Sequence, residues 1–209
     1  MKIIEPSVEL VNKIDGEEIM RHIELAGRVC YKSESRISDS SAEKFIANIV
    51  KSGHESVIEH VSLTFKIICD RGVTHEIVRH RLASYSQESS RYCDYSNDKF
   101  GGELTFIKPC FWAEDEENFL LWKNTMAQLE QTYLEMRKKG ARPEQARSIL
   151  PNSLKTEIFM TANLREWRHF LKLRTSQRAH PQMREVAVKI YKVLNEKLPI
   201  IFSDIEVAE

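Results

Sequence analysis

The chain has 209 residues, with 31 basic (Lys and Arg) and 31 acidic side chains and therefore no formal net charge. Hydrophobic residues make up 42% and charged residues 30%, the balance of a folded globular chain with a real core. General nucleic-acid binders carry a basic excess, and this sequence has none, so any anion site must be local.

Four cysteines, Cys30, Cys69, Cys93 and Cys110, are irregularly spaced and form no CxxC pair. That spacing excludes a zinc ribbon or redox dithiol, and all four read as buried structural thiols. The start lacks the apolar run of a signal peptide, and no stretch is long and apolar enough to span a membrane. A cytoplasmic protein without membrane contact is expected.

Taken in order, Lys2 to Ile14 holds short apolar runs around Pro6 and predicts an edge strand or hairpin arm. Ile19, Ile23, Ala26 and Cys30 recur at helical steps after Gly16. Ser40 with Glu43 makes a capping box for a helix that turns Phe45, Ile46, Ile49 and Val50 inward. Val61, Leu63, Phe65, Ile67 and Cys69 alternate as in a half-buried strand. Asp70-Arg71-Gly72 then turns into a helix predicted over 73–83, followed by a serine-rich loop. Residues 103–108 predict a short strand. From 114 to 139 a long helix carries Phe119, Trp122, Met126, Leu129, Tyr133 and Met136 at alternating steps of three and four. Such a seam packs on a partner helix or subunit, or lines an ordinary core. Gly140 ends it. A short helix over 144–150, a strand over 154–161, and helices over 164–173 and 181–198 complete one α+β domain. Its sheet is expected to be of antiparallel type, with several packed helices.

The chemistry concentrates in residues 79–92, where three arginines, one histidine and four serines stand with a single acid. Guanidinium forks fit phosphate oxygens two at a time, and serine hydroxyls and loop N–H groups suit the same oxygens. On a helix, Glu76, Arg79 and His80 would share a face, which alone is equally well a surface ion-pair cluster. A second arginine set follows: Arg142, Arg147, Arg165, Arg168, Arg174 and Arg178. Arg147, in apolar company, reads more readily as a satisfied structural residue. His54 with His60, and His75 with His80, have the wrong spacing for paired metal ligands, and no HExxH occurs, so no metal site is expected. GxSxG, P-loop and GxGxxG motifs are absent.

Arg79-His80-Arg81, Ser84 and Ser89-Ser90-Arg91-Tyr92 together resemble the RHR-x7-S signature of flavin-dependent thymidylate synthases, the thymidylate synthase-complementing protein family. Gly53-His54-Glu55-Ser56 with Glu59-His60, Ala146-Arg147 through Leu150-Pro151, Asn163 with Arg165, and Leu173-Arg174 extend the likeness over nearly the whole chain. The resemblance implies reductive methylation of dUMP to dTMP without a cysteine nucleophile. It implies 5,10-methylenetetrahydrofolate as carbon donor, NADPH as reductant, bound FAD, and a homotetramer with shared active sites. Carried over by position, dUMP would be held by Glu76, Ile77, Val78, Arg79, Gln87, Glu88, Ser89, Ser90, Arg91, Arg147 and Arg174. Of these, Arg174 would polarise the pyrimidine as the catalytic cation. FAD would contact His54, Ser56, Arg79, His80, Arg81, Gln87, Asn163, Leu164, Arg165 and His169. Gln87, His169 and Cys30 depart from some members, which have a glutamate, an amide and a serine there. Two other readings of the same residues are a non-catalytic nucleotide- or RNA-binding module and a metal-dependent hydrolase.

Overall fold

A computed structural model describes residues 1–208. In chain order the elements are β1 (Lys2–Ile4), β2 (Ser7–Leu10), α1 (Gly16–Val29), α2 (Ser41–Lys51), β3 (Ser62–Asp70), α3 (Arg71–Ile77), β4 (Ala83–Gln87) and β5 (Thr105–Ile107). They continue with α4 (Glu117–Lys138), α5 (Pro143–Ala146), β6 (Lys155–Asn163), α6 (Leu164–Arg174), α7 (Pro181–Lys197) and α8 (Pro199–Phe202). Strands β2-β3-β6-β4 form one sheet in that order, while β1 and β5 pair separately and in parallel, Ile3 opposite Phe106. The chain is thus a mixed helix-and-strand protein. Among the described residues no helix is long and apolar enough to cross a membrane.

The residues fall into two compact units, each assembled from several stretches. The first comprises 1–7, 67–79 and 86–158, the second 8–66, 80–85 and 159–208. Strands β3, β4 and β6 each lend residues to both.

In the first unit, the α4 seam finds its partners within the chain. Met126 and Tyr133 are buried with Tyr95, Leu104, Phe106, Ala146 and Leu154, and Trp122, Leu129 and Met136 pack against them. Gly140, at φ +91°, ends the helix as expected, with Ala141 N–H donating to the Met136 carbonyl. The helix predicted over 144–150 is the single turn α5 followed by a 3-10 turn at Arg147–Ile149.

In the second unit, the indole of Trp167 sits edge-on to Phe65 at 5.1 Å and donates from Nε1 to the Leu63 carbonyl at 3.1 Å. The alternation read in the sequence appears in β3, where Leu63, Phe65, Ile67 and Cys69 are all buried. Helix α7 buries Met183, Val186, Ala187, Ile190 and Leu194.

Three local expectations fail for definable reasons. The helix expected over 73–83 stops at Ile77, because its buried stripe of Val73 and Ile77 has no apolar successor at 80 or 81. The supposed serine loop then opens as strand β4: Ser84 and Ser86 are the exposed half of a two-residue alternation with half-buried Ala83 and Tyr85. Ser40 makes no side-chain cap on α2. Ser41 instead accepts from Ser38 N–H and donates to the buried Glu24 at 2.8 Å. The cysteines are likewise not uniformly buried, since Cys30 and Cys110 are exposed.

Gly27 marks the tightest approach in the second unit. A Cβ there would lie 2.6 Å from the Phe45 ring and 2.9 Å from Val57. In an open helix, Gly→Ala is favourable by about 1 kcal/mol. Here Gly27→Ala is expected to destabilise by about 1–3 kcal/mol through overpacking, read as a lower thermal midpoint. A raised midpoint would contradict this packing.

Candidate active site

The residues expected at the nucleotide lie in the first unit, apart from Arg174. Ile77 is fully buried and so serves the core, whereas Arg79, Arg91 and Arg147 are exposed. Arg147 is therefore a solvent-facing cation and not the satisfied interior residue its neighbours suggested. Ser89 shapes the loop: its Oγ accepts from Arg91 N–H at 3.3 Å and its carbonyl from the Cys93 N–H at 2.9 Å. Ser90 is buried.

The next layer of this unit holds that loop in place. Glu88 accepts from Tyr95 Oη at 2.6 Å and from Lys155 Nζ at 2.9 Å. Burial opposes the charge on Lys155, but Glu157 and Glu88 outweigh it and hold the ammonium pKa above its ordinary value. Gln87 Nε2 donates to Thr74 and Thr156 hydroxyls at 3.1 and 3.3 Å. Arg137 grips Asp94 at 2.5 Å and keeps that carboxyl well below the usual carboxylate range.

The second unit contains most of the expected flavin residues. His54 and Ser56 are exposed on either side of Glu55, where a 3-10 turn (Glu55–His60) begins. Glu55 accepts from Arg168 Nε at 2.9 Å. Arg168 is fully buried and also forks onto Asp204 at 2.6 and 2.7 Å. A buried guanidinium needs such company, and in satisfying it Glu55 fixes the backbone that carries His54 and Ser56.

Two cavities open in this unit. One, of about 400 Å³, is bordered by Tyr31, Phe45, His54, Ser56 and Arg165, with Cys30 also at its wall. The other, of about 650 Å³, is bordered by Leu82, Asn163, Arg165, His169 and Lys172. The smaller cavity has the aromatic and apolar walls that suit flat rings, while the larger is polar, with Glu55, Glu59 and Glu166 also at its wall. Arg165 borders both and offers a guanidinium that suits a pyrophosphate. Arg165 meanwhile pairs with Glu59 at 2.5 Å, an exposed contact that a phosphate can displace at small cost. Leu164 is fully buried, and Arg81 is exposed.

His80 departs most from expectation. It stands outside α3, so the helical face shared with Glu76 and Arg79 does not exist. Its ring is 4% exposed and lies beside Phe170 at 4.8 Å and His169 at 5.7 Å. Nδ1 is 3.1 Å from Glu166 Oε1, and Nε2 accepts from Arg174 Nε at 3.1 Å. Burial lowers the ring's pKa, the Glu166 hydrogen bond opposes this, and the Arg174 charge lowers it further. The net is a ring kept neutral below its ordinary value. Glu166 was not anticipated. Its position three residues after Asn163 reads as a routine capping glutamate; Asn163 Oδ1 does accept from its N–H at 2.9 Å, but the carboxylate turns to His80.

His80, Glu166 and His169 are also the described residues whose ligand atoms come within 4.8 Å of one another, the spacing of a metal site. Both His80 nitrogens are already engaged, however, and the adjacent Arg174 cation repels a metal ion.

A loop with exposed arginines, a pair of cavities that share Arg165, and a buried carboxylate–histidine pair that reaches half-buried Arg174 stand in a mixed helix-and-strand protein. The chain belongs to the thymidylate synthase complementing protein family, whose sequence profile matches residues 9–200. It is 41% identical over 167 residues to a flavin-dependent thymidylate synthase of Pyrococcus furiosus, covering 79% of this chain and 68% of that one. A flavin-dependent thymidylate synthase of Mycobacterium avium is 33% identical over 216 residues, covering 97% and 85%. The resemblance carried by the Arg79–Tyr92 signature is thereby borne out, and with it the expectation of an enzyme. In fold the chain is similar to the UMP/dUMP methylase PolB from Streptomyces cacaoi, solved with 5-Br dUMP. The TM-score is 0.77 at 22% identity, over 97% of this chain and 96% of that one.

Because the folded His80 ring binds a proton less readily than the unfolded chain's, the unfolded state takes up more protons below pH 6.5. Its contribution to stability is complete above that value and falls as pH drops below it. Urea unfolding should give lower stability at about pH 5.5 than at about pH 7.5, and His80→Gln should shrink that difference. An undiminished difference in the variant would contradict the assignment.

Proposed function

We propose that this chain catalyses the reductive methylation of dUMP to dTMP, with 5,10-methylenetetrahydrofolate giving the carbon, NADPH the electrons, and FAD bound. The observation that carries the reading is the intact Arg79–Tyr92 signature in a chain matched to the family over residues 9–200. Arg79, Ser89, Ser90, Arg91 and Arg147 are assigned to the nucleotide, with Glu76, Ile77, Val78, Gln87 and Glu88 bordering it. Exposed guanidinium groups beside loop hydroxyls suit its phosphate.

Arg174 is assigned to the pyrimidine. A guanidinium stays charged at any working pH and stabilises negative charge that develops on the ring. His54, Ser56, Arg79, Arg81, Gln87, Asn163, Leu164, Arg165 and His169 are assigned to FAD, with Arg81 and Arg165 opposite its pyrophosphate. His80, buried with both nitrogens engaged, serves that site from behind. When bound, the flavin supplies electron transfer and carries the one-carbon unit. None of the four cysteines is given a covalent role. A cytoplasmic homotetramer with shared sites belongs to the same proposal.

The purified protein should show flavin absorbance, alone or after FAD is added, and should oxidise NADPH faster when deoxyuridylate is present. A protein that stays colourless with FAD would refute the reading. Arg174→Ala should lower methylation by about 100-fold or more while leaving flavin content unchanged. Loss of flavin from a folded Arg174→Ala protein would move Arg174 to the cofactor.

A further inference from the structure

His80 has two nitrogens and two partners of opposite kind. The Nε–H of a guanidinium can only donate, so the His80 Nε2 that receives it at 3.1 Å must present a lone pair. The ring's single proton then sits on Nδ1, facing Glu166 Oε1 at 3.1 Å, where an ionised carboxylate can only accept. The line therefore has one consistent direction: Arg174 donates to His80, and His80 donates to Glu166. With the opposite tautomer, two N–H groups would collide at Arg174 and Glu166 would lose its donor.

We propose that Glu166 is a positioning residue for Arg174, fixing the Nδ1–H tautomer of His80 so that Nε2 holds the guanidinium by its Nε–H. The Nε–H lies in the guanidinium plane, so anchoring it sets the orientation of the whole fork. The catalytic significance rests on the reading of Arg174 given above; the hydrogen-bond line does not.

The surroundings explain why a carboxylate 6% exposed is kept at this point. The half-buried Arg174 already requires a lone pair on Nε2, but without Glu166 the Nδ1–H on the other side of the buried ring would have no acceptor. Glu166 supplies the acceptor that selects Nδ1–H and a charge that offsets Arg174. The groups facing His80 are Glu166, His169 and Arg174 from α6 and Tyr85 from β4, whose hydroxyl donates to the His80 carbonyl at 2.7 Å. Protonating the ring would place a second N–H and a like charge against Arg174. Burial and that charge both lower the ring's pKa and keep the acceptor in place at neutral pH. Glu166 itself is placed by Asn163, whose side chain fixes the first turn of α6.

The test uses the full chain labelled with ¹⁵N in histidine and arginine. Long-range ¹H–¹⁵N correlation at about pH 7.5 should show His80 Nδ1 protonated and Nε2 unprotonated, and the Arg174 Nε–H should exchange slowly with water. Glu166→Leu should weaken the tautomer preference, giving a measurable population protonated on Nε2, and speed that exchange at least tenfold. Glu166→Gln, which keeps an acceptor oxygen and the side-chain shape, should restore most of both and guards against misfolding of the leucine variant. In turnover, Glu166→Leu should lower kcat for deoxyuridylate at least tenfold, with Glu166→Gln recovering most of it and the KM for NADPH nearly unchanged. A wild-type ring protonated on Nε2 overturns the proposal, as does an Arg174 exchange rate that ignores residue 166. Unchanged kcat in a leucine variant whose tautomer has shifted also overturns it. If the tautomer and exchange results hold while the wild type never turns over deoxyuridylate, the positioning line stands and the thymidylate reading fails.

Discussion

Much of the second unit depends on one side-chain cap. Strand β6 becomes helix α6 with no intervening loop, and Asn163 Oδ1 satisfies the Glu166 N–H at the junction. That cap fixes the rotational phase of α6, and a helical period of 3.6 does the rest. Leu164, Trp167 and Leu171 go to the core, Arg168 into a buried ion pair, and Arg165, His169 and Lys172 to a cavity wall. Glu166 is left pointing at His80. A helix started one residue later would rotate every one of these groups by about 100° and dismantle the site.

The charged residues of the chain cancel in sum but are sorted in space. Nearly all the residues assigned to the nucleotide belong to the first unit, and nearly all those assigned to the flavin belong to the second. The division falls between Arg79 and His80, within the RHR triplet. Buried charged groups are compensated locally, Arg168 by Glu55 and Asp204, and Glu166 by the His80 ring with half-buried Arg174 beyond it. Arg79, Arg81, Arg91 and Arg147 are among the cations that face solvent, where they can meet anionic ligands.

The strands and long helices were legible because apolar periodicity records burial directly. The α4 seam and the alternation of β3 appear as their residues predict. The site was legible only as a motif. A helix over 73–83 overran the true end of α3 at Ile77, where the apolar stripe stops, and serine content hid the alternation of β4. Glu166 was invisible because a glutamate three residues after an asparagine has an ordinary capping role. Nothing in the linear sequence says that its carboxylate meets a histidine 86 positions away. Burial of cysteines failed as a type-based rule, since exposure is set by position on the element: Cys30 closes an exposed helix end.

The proposed reaction puts a methyl group on carbon 5 of the uracil ring in place of its hydrogen. Release of tritium from deoxyuridylate labelled at that carbon tests it most directly. With FAD, NADPH and methylenetetrahydrofolate present, tritium should appear in water in step with thymidylate formation. Protein that binds both flavin and deoxyuridylate yet releases no tritium and forms no thymidylate would contradict the account.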